Sequence, residues 1–170
     1  MFISTIGYEG SDIDHFLATL EVAGIDHLID VRAVPVSRKK GFSKNRLAEA
    51  LREVGIQYTH LQALGDPKEG REAMKRGDYS SFLEIFTRHL QRAEVIDAIE
   101  KAIELALQDN VALMCYERDP KECHRTIVAQ KMGIRTSKKI RSLGVLSSQA
   151  IKNMRLPDCE VTKTAVYATA

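Results

Sequence analysis

The class of fold follows from residues 2–31, which read FISTIGYEGSDIDHFLATLEVAGIDHLIDV. Two short apolar runs, at residues 2–6 and 27–31, are typical of strands. Between them the apolar side chains recur at helical spacing, with Ser11 as the predicted N-cap and Gly24 as the predicted end of the helix. A strand, a helix and a second strand in this order predict a right-handed crossover between parallel strands.

The next segments continue the alternation of strands and helices. Residues 32–43 form a polar, basic loop, after which Ser43 is the predicted N-cap of a helix. Residues 56–61 alternate between two faces, which is typical of a strand. After a turn, the charged residues 68–78 are predicted to form a mobile surface excursion.

Two helices and a buried strand complete this pattern. Apolar residues recur at helical spacing within residues 82–90 and again within residues 95–106. The continuous apolar run VALMC at residues 111–115 is typical of a strand that is buried on both faces, and the next helix is predicted to start near Pro120. This order predicts an α/β fold, a three-layer sandwich with a mainly parallel central sheet and helices on both faces.

The chain of 170 residues is long enough for one domain with its own hydrophobic core. We predict a single α/β core domain over residues 1–132 and a basic C-terminal extension over residues 133–170, which packs on that domain or extends it. The core carries 18 Lys and Arg against 21 Asp and Glu, a net charge of −3; the extension carries 7 against 2, a net charge of +5, and together they give the +2 of the chain. Within the extension, a helix is predicted at residues 148–154 and a strand at residues 161–168.

Targeting signals and cysteine usage indicate where the protein resides. The N-terminus shows no basic leader with a cleavage site, and no segment approaches the roughly 20 apolar residues of a membrane span. Cys115, Cys123 and Cys159 are an odd number of cysteines without an export signal, which favours reduced thiols. We therefore predict a cytoplasmic protein that does not bind membranes. The composition indicates no particular oligomeric state.

The most specific local motif is DPKECHR at residues 119–125. Asp119 opens a capping-box pattern at the start of the predicted helix, so Cys123, His124 and Arg125 fall within its first two turns. The positive end of the helix dipole favours bound anions there and lowers the pKa of a thiol. Cys123 and His124 are therefore candidate catalytic residues and Arg125 is a candidate ligand-binding residue. The alternative is that Cys123 and His124 pack in the core.

A second motif, DVR at residues 30–32, ends an apolar strand. An unpaired carboxylate at Asp30 would be costly there, so a partner or a ligand is expected. Arginine binds phosphate or carboxylate with two hydrogen bonds, and the basic loop that follows is rich in cations. Asp30 is therefore a candidate catalytic residue. The candidate ligand-binding residues are Arg32, Ser37 and Arg38, unless Arg32 pairs structurally with Asp30.

Aromatic and polar residues after other strands complete the candidate set. Tyr8 follows the first strand, and Tyr58 and His60 share one face of the third. These three side chains are candidates for stacking on a ring or for hydrogen bonding to a ligand. Glu117, close to Cys115 at the end of the fourth strand, is a candidate general acid or base, and Cys115 is a candidate ligand-binding residue.

Several familiar site patterns are missing from the sequence. It contains no glycine-rich phosphate loop and no Cys-x-x-Cys pair, and the fourth strand is not followed by the Cys-x5-Arg loop of cysteine-dependent phosphatases. Cys115, Cys123, His60 and His124 carry metal-ligating atoms, but their spacing fits no standard metal site. We therefore predict no metal site and no cofactor.

Taken in order, these motifs resemble a known family. They are TIGY at residues 5–8, DVR at 30–32 with Ser37-Arg38, Tyr58 with His60, and Cys115 with Glu117 ahead of residues 119–125. The set is similar to domain-of-unknown-function family 488 over residues 2–132. The resemblance implies a compact α/β domain with a pocket built from these motifs, and it implies no particular reaction. The pocket positions that it implies are Asp30, Arg32, Ser37, Arg38, Tyr58, Cys115, Glu117, Cys123, His124 and Arg125.

The leading functional hypothesis is an enzyme that acts on a small anionic, phosphorylated or nucleotide-like ligand. Acidic, basic and thiol groups all follow predicted strand ends, which meet at the carboxyl edge of a parallel sheet. In this hypothesis the proton-transfer group is Asp30, Glu117 or His124. The nucleophile is Cys123 or Cys115.

Two alternative functions use other parts of the chain. The first is a non-catalytic nucleic-acid-binding module that uses the basic loop at residues 38–46 and the basic extension. The second is a protein-interaction adaptor that uses residues 68–78 and the same extension. Salt-sensitive binding would indicate the first, and loss of a protein partner on deletion of residues 133–170 would indicate the second.

Overall fold

Five parallel strands form one sheet in the computed structural model, which describes residues 2–154. The strands are β1 (Phe2–Gly7), β2 (His27–Asp30), β3 (Gln57–His60), β4 (Val111–Cys115) and β5 (Lys139–Leu143). Their order across the sheet is β3-β2-β4-β1-β5, and every neighbouring pair is parallel. The predicted parallel central sheet is therefore confirmed.

Seven α-helices are found in the described part of the chain, and six of them cover the two faces of the sheet. They are α1 (Ile13–Val22), α2 (Lys44–Glu53), α3 (Lys68–Lys75), α4 (Tyr79–His89), α5 (Ala93–Gln108), α6 (His124–Thr136) and α7 (Ser148–Met154). Helices α1 and α2 pack on one face and α3 to α6 on the other, which confirms the three-layer α/β sandwich. None of these helices combines the length and apolar character that crossing a membrane requires.

Strand β4 shows why the sheet is buried on both faces. Ala112 and Met114 belong to the apolar cluster beneath α1 and α2, whereas Leu113 and Cys115 belong to the cluster beneath α3 to α6. Successive side chains of a strand point to opposite faces, so a continuous apolar run supplies both clusters. All five residues of β4 are buried, as the sequence predicts.

The chain leaves the adjacent strands β1 and β4 towards opposite faces of the sheet. Strand β1 leads to α1, and β4 leads to α6 on the other side. Neighbouring parallel strands whose connections diverge in this way leave a crevice beyond their carboxyl ends. Gly7 and Cys115 are register partners at this edge, so the crevice opens beside them.

Gly7 is required by the close approach of two loops at this crevice. A Cβ atom at position 7 would lie 1.8 Å from the carbonyl oxygen of Glu117. We expect Gly7→Ala to lower the free energy of unfolding by about 1–3 kcal/mol, the usual cost of overpacking, as measured by urea denaturation. Gly144→Ala is the control, because a Cβ there meets nothing within 4 Å. Equal losses in the two variants would contradict the steric argument.

The predicted caps of α1 and α2 differ from those observed. Helix α1 is capped by Asp12, whose carboxylate accepts the backbone N–H of His15, so the prediction of Ser11 as the cap is wrong. The carboxylate is one residue closer to the helix, where it reaches the first free N–H groups. Ser43 precedes α2 as predicted, but its hydroxyl donates to the carbonyl of Ser37 instead of capping the helix.

The prediction of a mobile surface excursion at residues 68–78 is wrong. Helix α3 covers Lys68–Lys75 and is followed closely by α4. Ala73 is fully buried, and Met74 packs against the core, while most of the charged side chains of α3 are exposed. The sequence did not indicate an amphipathic helix here, because the segment is densely charged and its apolar stripe is only a few residues long.

The helix predicted near Pro120 begins later than expected. Residues 120–122 form a 3-10 turn, and α6 starts at His124 with Cys123 as an extended N-cap residue. Asp119 accepts a backbone N–H within the 3-10 turn, so no capping box forms at the start of α6. Cys123 consequently lies at the positive end of α6, directly before its first residue.

Residues beyond 132 complete the sheet. Helix α6 runs through residue 132, and β5, which the sequence did not predict, lies beside β1 at the edge. Its sequence KIRSL is rich in polar residues because an edge strand remains partly exposed. Helix α7 has the predicted bounds, whereas the strand predicted at residues 161–168 lies outside the described residues.

Candidate functional site

A cavity of about 460 Å³ opens at the carboxyl edge of the sheet, beyond the ends of β1, β2 and β4. Seven of the twelve candidate residues from the sequence line it: Tyr8, Arg32, Ser37, Arg38, Cys115, Glu117 and His124. The other five are not part of its lining: Asp30, Tyr58, His60, Cys123 and Arg125. The fold therefore brings side chains from distant parts of the sequence to one edge, as a parallel sheet is expected to do.

Asp30 and Arg32 form a buried ion pair behind one wall of the cavity. The Arg32 Nε donates to Asp30 Oδ1 over 2.9 Å, and Nη2 donates to Oδ2 over 2.6 Å. The remaining nitrogen, Nη1, donates to the Tyr8 hydroxyl and to the Phe42 carbonyl. Of the two alternatives for Arg32, the structure shows the pairing with Asp30. The guanidinium is therefore largely saturated by protein acceptors, and it positions Tyr8 at the cavity.

Two further candidate residues support this ion pair. The Tyr58 hydroxyl donates to Asp30 Oδ2 over 2.7 Å, and a ring nitrogen of His60 lies 2.9 Å from the carbonyl oxygen of Arg32. Burial, together with the neighbouring Asp30 carboxylate, raises the pKa of Tyr58, so its hydroxyl remains a protonated donor. Tyr58 and His60 thus hold the end of β2 in place and do not reach the cavity.

The loop between β2 and α2 carries Ser37 and Arg38 to the cavity. The Ser37 backbone N–H donates to the hydroxyl of Ser43, which in turn donates to the Ser37 carbonyl. The Ser37 hydroxyl accepts the backbone N–H of Lys39. Gly41 completes the loop with φ of 89°, a conformation that favours glycine. This local bonding presents Arg38, which is exposed, together with Lys39 at the cavity wall.

A second group of candidates gathers beneath the cavity around two cysteines. The Cys123 Sγ donates a hydrogen bond to Glu117 Oε2 over 3.0 Å. The ligating atoms of Cys115, Cys123 and His124 all lie within 4.8 Å of one another. Each of these three residues is buried, and Cys115 and His124 also line the cavity. Thiol, imidazole and carboxyl groups therefore share one small volume.

Burial and mutual contact shift the protonation of this group. Burial alone would lower the pKa of His124, but the adjacent Cys123 and the Val31 carbonyl raise it to about 9. Burial also raises the pKa of Glu117 to about 7. The pKa of Cys123 is lowered despite burial, by Cys115, His124 and the nearby Arg125, whereas contact with Cys123 and burial raise the pKa of Cys115. Cys123 therefore carries the more acidic of the two thiols.

Comparison with known protein families identifies the chain. Residues 12–132 match the family described as Domain of unknown function DUF488, which is more than half of the chain. The chain belongs to this family. The resemblance inferred from the sequence motifs is thereby confirmed. Searches of curated proteins and of solved structures found no match.

The DUF488 cavity also contains two residues that sequence reasoning did not select, Asp66 and Arg71. Asp66 is 5% exposed, and its Oδ1 has no hydrogen-bond partner among the described residues. Burial raises its pKa to about 6. The Arg71 guanidinium donates to the Asp66 carbonyl, and a Cβ at Gly70 would lie 2.0 Å from Asp66 Oδ1. In the sequence Asp66 stands out only as part of a turn. That its carboxylate is buried against Gly70 becomes visible only in the folded chain.

Arg125 has a positioning role in this DUF488 domain. It is 1% exposed, and its Nη1 donates to the carbonyl oxygen of Glu117 over 2.5 Å, while Nη2 donates to that of Arg118 over 3.2 Å. The guanidinium thus fixes the loop after β4 and does not line the cavity. Its positive charge lies close enough to Cys123 to lower the pKa of that thiol.

The basic side chains of the extension contact the DUF488 core. Arg135 pairs with Glu100 on α5, Lys138 donates to a carbonyl at the end of the same helix, and Arg141 donates to the hydroxyl of Ser4. These three cations therefore have partners within the chain. Of the three, Arg135 pairs with a carboxylate, whereas Lys138 and Arg141 bind neutral oxygen atoms and keep their positive charge uncompensated by these contacts.

Proposed function

We propose that this DUF488 protein is an enzyme that acts on a small anionic ligand, phosphorylated or nucleotide-like, bound in the cavity at the carboxyl edge of the sheet. The observation that carries the proposal is the mixed lining of this one cavity. Arg38 and Lys39 line the same cavity as Glu117, His124 and Cys115. Cations that attract an anion and groups that transfer protons are thus within reach of one ligand.

The cationic part of the lining supplies the binding energy. Among the described residues, Arg38 and Lys39 form no ion pair with a carboxylate, so both charges are available to a ligand. An arginine binds phosphate or carboxylate with two parallel hydrogen bonds. The cavity volume of about 460 Å³ lies within the range of small-molecule sites. Val36, which is 75% exposed, and Tyr116 add apolar surface for a ring.

The acidic part of the lining supplies proton transfer. The Glu117 carboxyl lies at the cavity and is held by a hydrogen bond to Cys123, while Arg125 fixes its backbone. A half-buried carboxyl group next to a ligand is suited to general acid or base catalysis. Asp30, by contrast, is engaged by Arg32 and Tyr58 and supports the scaffold.

A nucleic-acid-binding module accounts less well for these contacts. Binding to a phosphate backbone needs exposed cations over a wide surface, whereas three basic residues of the extension already have partners in the chain. Such a module also gives no reason to bury a carboxyl, an imidazole and two thiols together, which is costly for a fold. An enzyme with a small-molecule substrate accounts for the small cavity better than a nucleic-acid-binding module does.

Binding of an anionic ligand can be tested by thermal unfolding and calorimetry. The panel comprises inorganic phosphate, nucleoside monophosphates and diphosphates, and sugar phosphates, with an uncharged nucleoside for comparison. We expect at least one phosphorylated compound to raise the unfolding temperature. Arg38→Gln and Lys39→Gln should each weaken its binding about tenfold or more, because each removes a charge-assisted hydrogen bond of about 1.5–3 kcal/mol.

Lys40→Gln is the matched control, because Lys40 is exposed in the same loop but does not line the cavity. It should retain the affinity of the natural sequence. No thermal shift with any phosphorylated compound would contradict the proposed function. An affinity that falls steeply with salt for DNA or RNA, and equally in all three variants, would favour the nucleic-acid-binding module.

A further inference from the structure

The cluster of Cys115, Cys123 and His124 has the composition of a zinc site. Its two sulfur atoms and a ring nitrogen lie within 4.8 Å of one another. Thiolate and imidazole are the preferred zinc ligands, and bonds of about 2.3 Å to sulfur place tetrahedral ligand atoms about 3.7 Å apart. Closing the cluster onto a metal therefore requires movements of about 1 Å, within the range of side-chain adjustment.

The orientation of His124 fits metal binding. Its Nε2 lies 3.0 Å from the carbonyl oxygen of Val31, which can only accept a hydrogen bond. Nε2 therefore carries a proton, and Nδ1 is the nitrogen that can bind a metal once the metal displaces the proton there. Metal-binding histidines commonly donate their second ring N–H to a backbone carbonyl or carboxylate, which fixes the tautomer.

An independent observation concerns a carboxylate that shares the cavity with this cluster. Asp66 is buried, lines the same cavity as Cys115 and His124, and has an oxygen without a hydrogen-bond partner in the described chain. Burying such an oxygen without a partner is costly. A water molecule on a metal would supply the missing donor.

Packing as apolar side chains does not account for the cysteines. A cysteine that only fills a core needs no polar neighbour. Cys123 instead has the carboxyl of Glu117 at 3.0 Å and the ring of His124 nearby. The His124 ring would stabilise a Cys123 thiolate or its metal complex.

We propose that Cys115, Cys123 and His124 bind one zinc ion whose fourth position opens to the cavity. Zinc binds the two sulfurs as thiolates and His124 through Nδ1; the displaced protons pass to solvent through the cavity. Asp66 accepts a hydrogen bond from the water in the fourth position. The site shares Cys115 and His124 with the cavity lining but uses no atom of Arg38, Lys39 or Glu117, so it does not rest on the proposed binding of an anion or on proton transfer by Glu117.

Metal titration of the reduced, untagged full chain tests this proposal. We expect one Zn²⁺ per chain by elemental analysis after gel filtration. Added Co²⁺ should produce thiolate-to-cobalt charge-transfer absorption, which Zn²⁺ then abolishes. Zn²⁺ should also raise the unfolding temperature, because it binds the folded chain. Cys123→Ser and His124→Asn should each weaken Zn²⁺ binding by more than the roughly 100-fold that loss of an outer-shell partner causes.

Cys159→Ser is the matched control, because Cys159 is a cysteine outside the proposed ligand set. It should bind Zn²⁺ with unchanged affinity and stoichiometry. Failure of the natural sequence to bind Zn²⁺ or Co²⁺ stoichiometrically would overturn the site, whether or not the variants fold. Equal loss of the cobalt absorption in Cys159→Ser and Cys123→Ser would overturn it as well. Phosphate binding that persists in the metal-free protein would leave the proposed function standing separately.

Discussion

Arg32→Met is expected to lower the free energy of unfolding by about 3–5 kcal/mol, the cost of removing one partner of a buried ion pair. The Asp30 carboxylate is fully buried and would lose two of its four hydrogen bonds. Methionine replaces the aliphatic stem of arginine and carries no charge, so the main cost is that of an uncompensated buried carboxylate. Urea unfolding followed by circular dichroism measures the change.

Two further variants separate charge from packing. Arg46→Met removes an exposed pair with Glu49, and we expect a change of at most about 0.5 kcal/mol. The double variant Asp30→Asn with Arg32→Met should be less destabilised than Arg32→Met alone, because no charge is left without its partner. A loss below about 1 kcal/mol in Arg32→Met would show that the pair contributes little to the fold.

Glu117→Gln is expected to reduce turnover of the identified ligand about 100- to 10,000-fold, the usual contribution of a general acid or base. Glutamine keeps the shape of the side chain and can still hydrogen-bond to Cys123, but it cannot transfer a proton. Ligand affinity should therefore change little. Product formation is measured by phosphorus NMR or mass spectrometry with the compound that binds most tightly.

Glu122→Gln is the control for this variant, because Glu122 is an exposed carboxylate in the adjacent 3-10 turn. It should retain full turnover. An equal loss of turnover in both variants would indicate that removing a negative charge from this region, and not loss of the Glu117 carboxyl group, lowers the activity. Unchanged turnover in Glu117→Gln would remove Glu117 from the catalytic role and move the assignment to Asp66, the other carboxyl group of the cavity lining.

Strongly apolar elements could be predicted from the sequence with nearly correct bounds. Strands β1, β2 and β4 appear as short apolar runs because both faces of a central parallel strand are buried. Helix α5 is evident because its buried residues recur at helical spacing over sixteen residues. In these elements the local pattern and the tertiary environment agree.

Elements with weak apolar patterns could not be predicted from the sequence. Helix α3 buries only a narrow stripe of small or apolar residues that includes Ala73. Its many charged residues therefore led to the prediction of a surface excursion. Strand β5 lies at the edge of the sheet, and its polar residues conceal it. In both cases the pairing with other elements supplies the stability that the local sequence does not display.

The sequence also left the roles of the site residues open. It offered pairing with Asp30 as an alternative for Arg32, and the folded chain shows that pair. It did not select Asp66, because an aspartate in a turn is common and its burial depends on the packing of α3. Cys115 and Cys123 have no standard metal-site spacing, yet they meet in space.

The sequence by itself determined the α/β class, the parallel sheet and family membership, because these depend on hydrophobic period and motif order along the chain. Only the tertiary structure decided which candidate side chains face the cavity and which form the scaffold beneath it. The physical reason is that such contacts join residues far apart in sequence, such as Asp66 beside the cluster around His124. Their distances depend on strand order and helix packing, which no local pattern encodes.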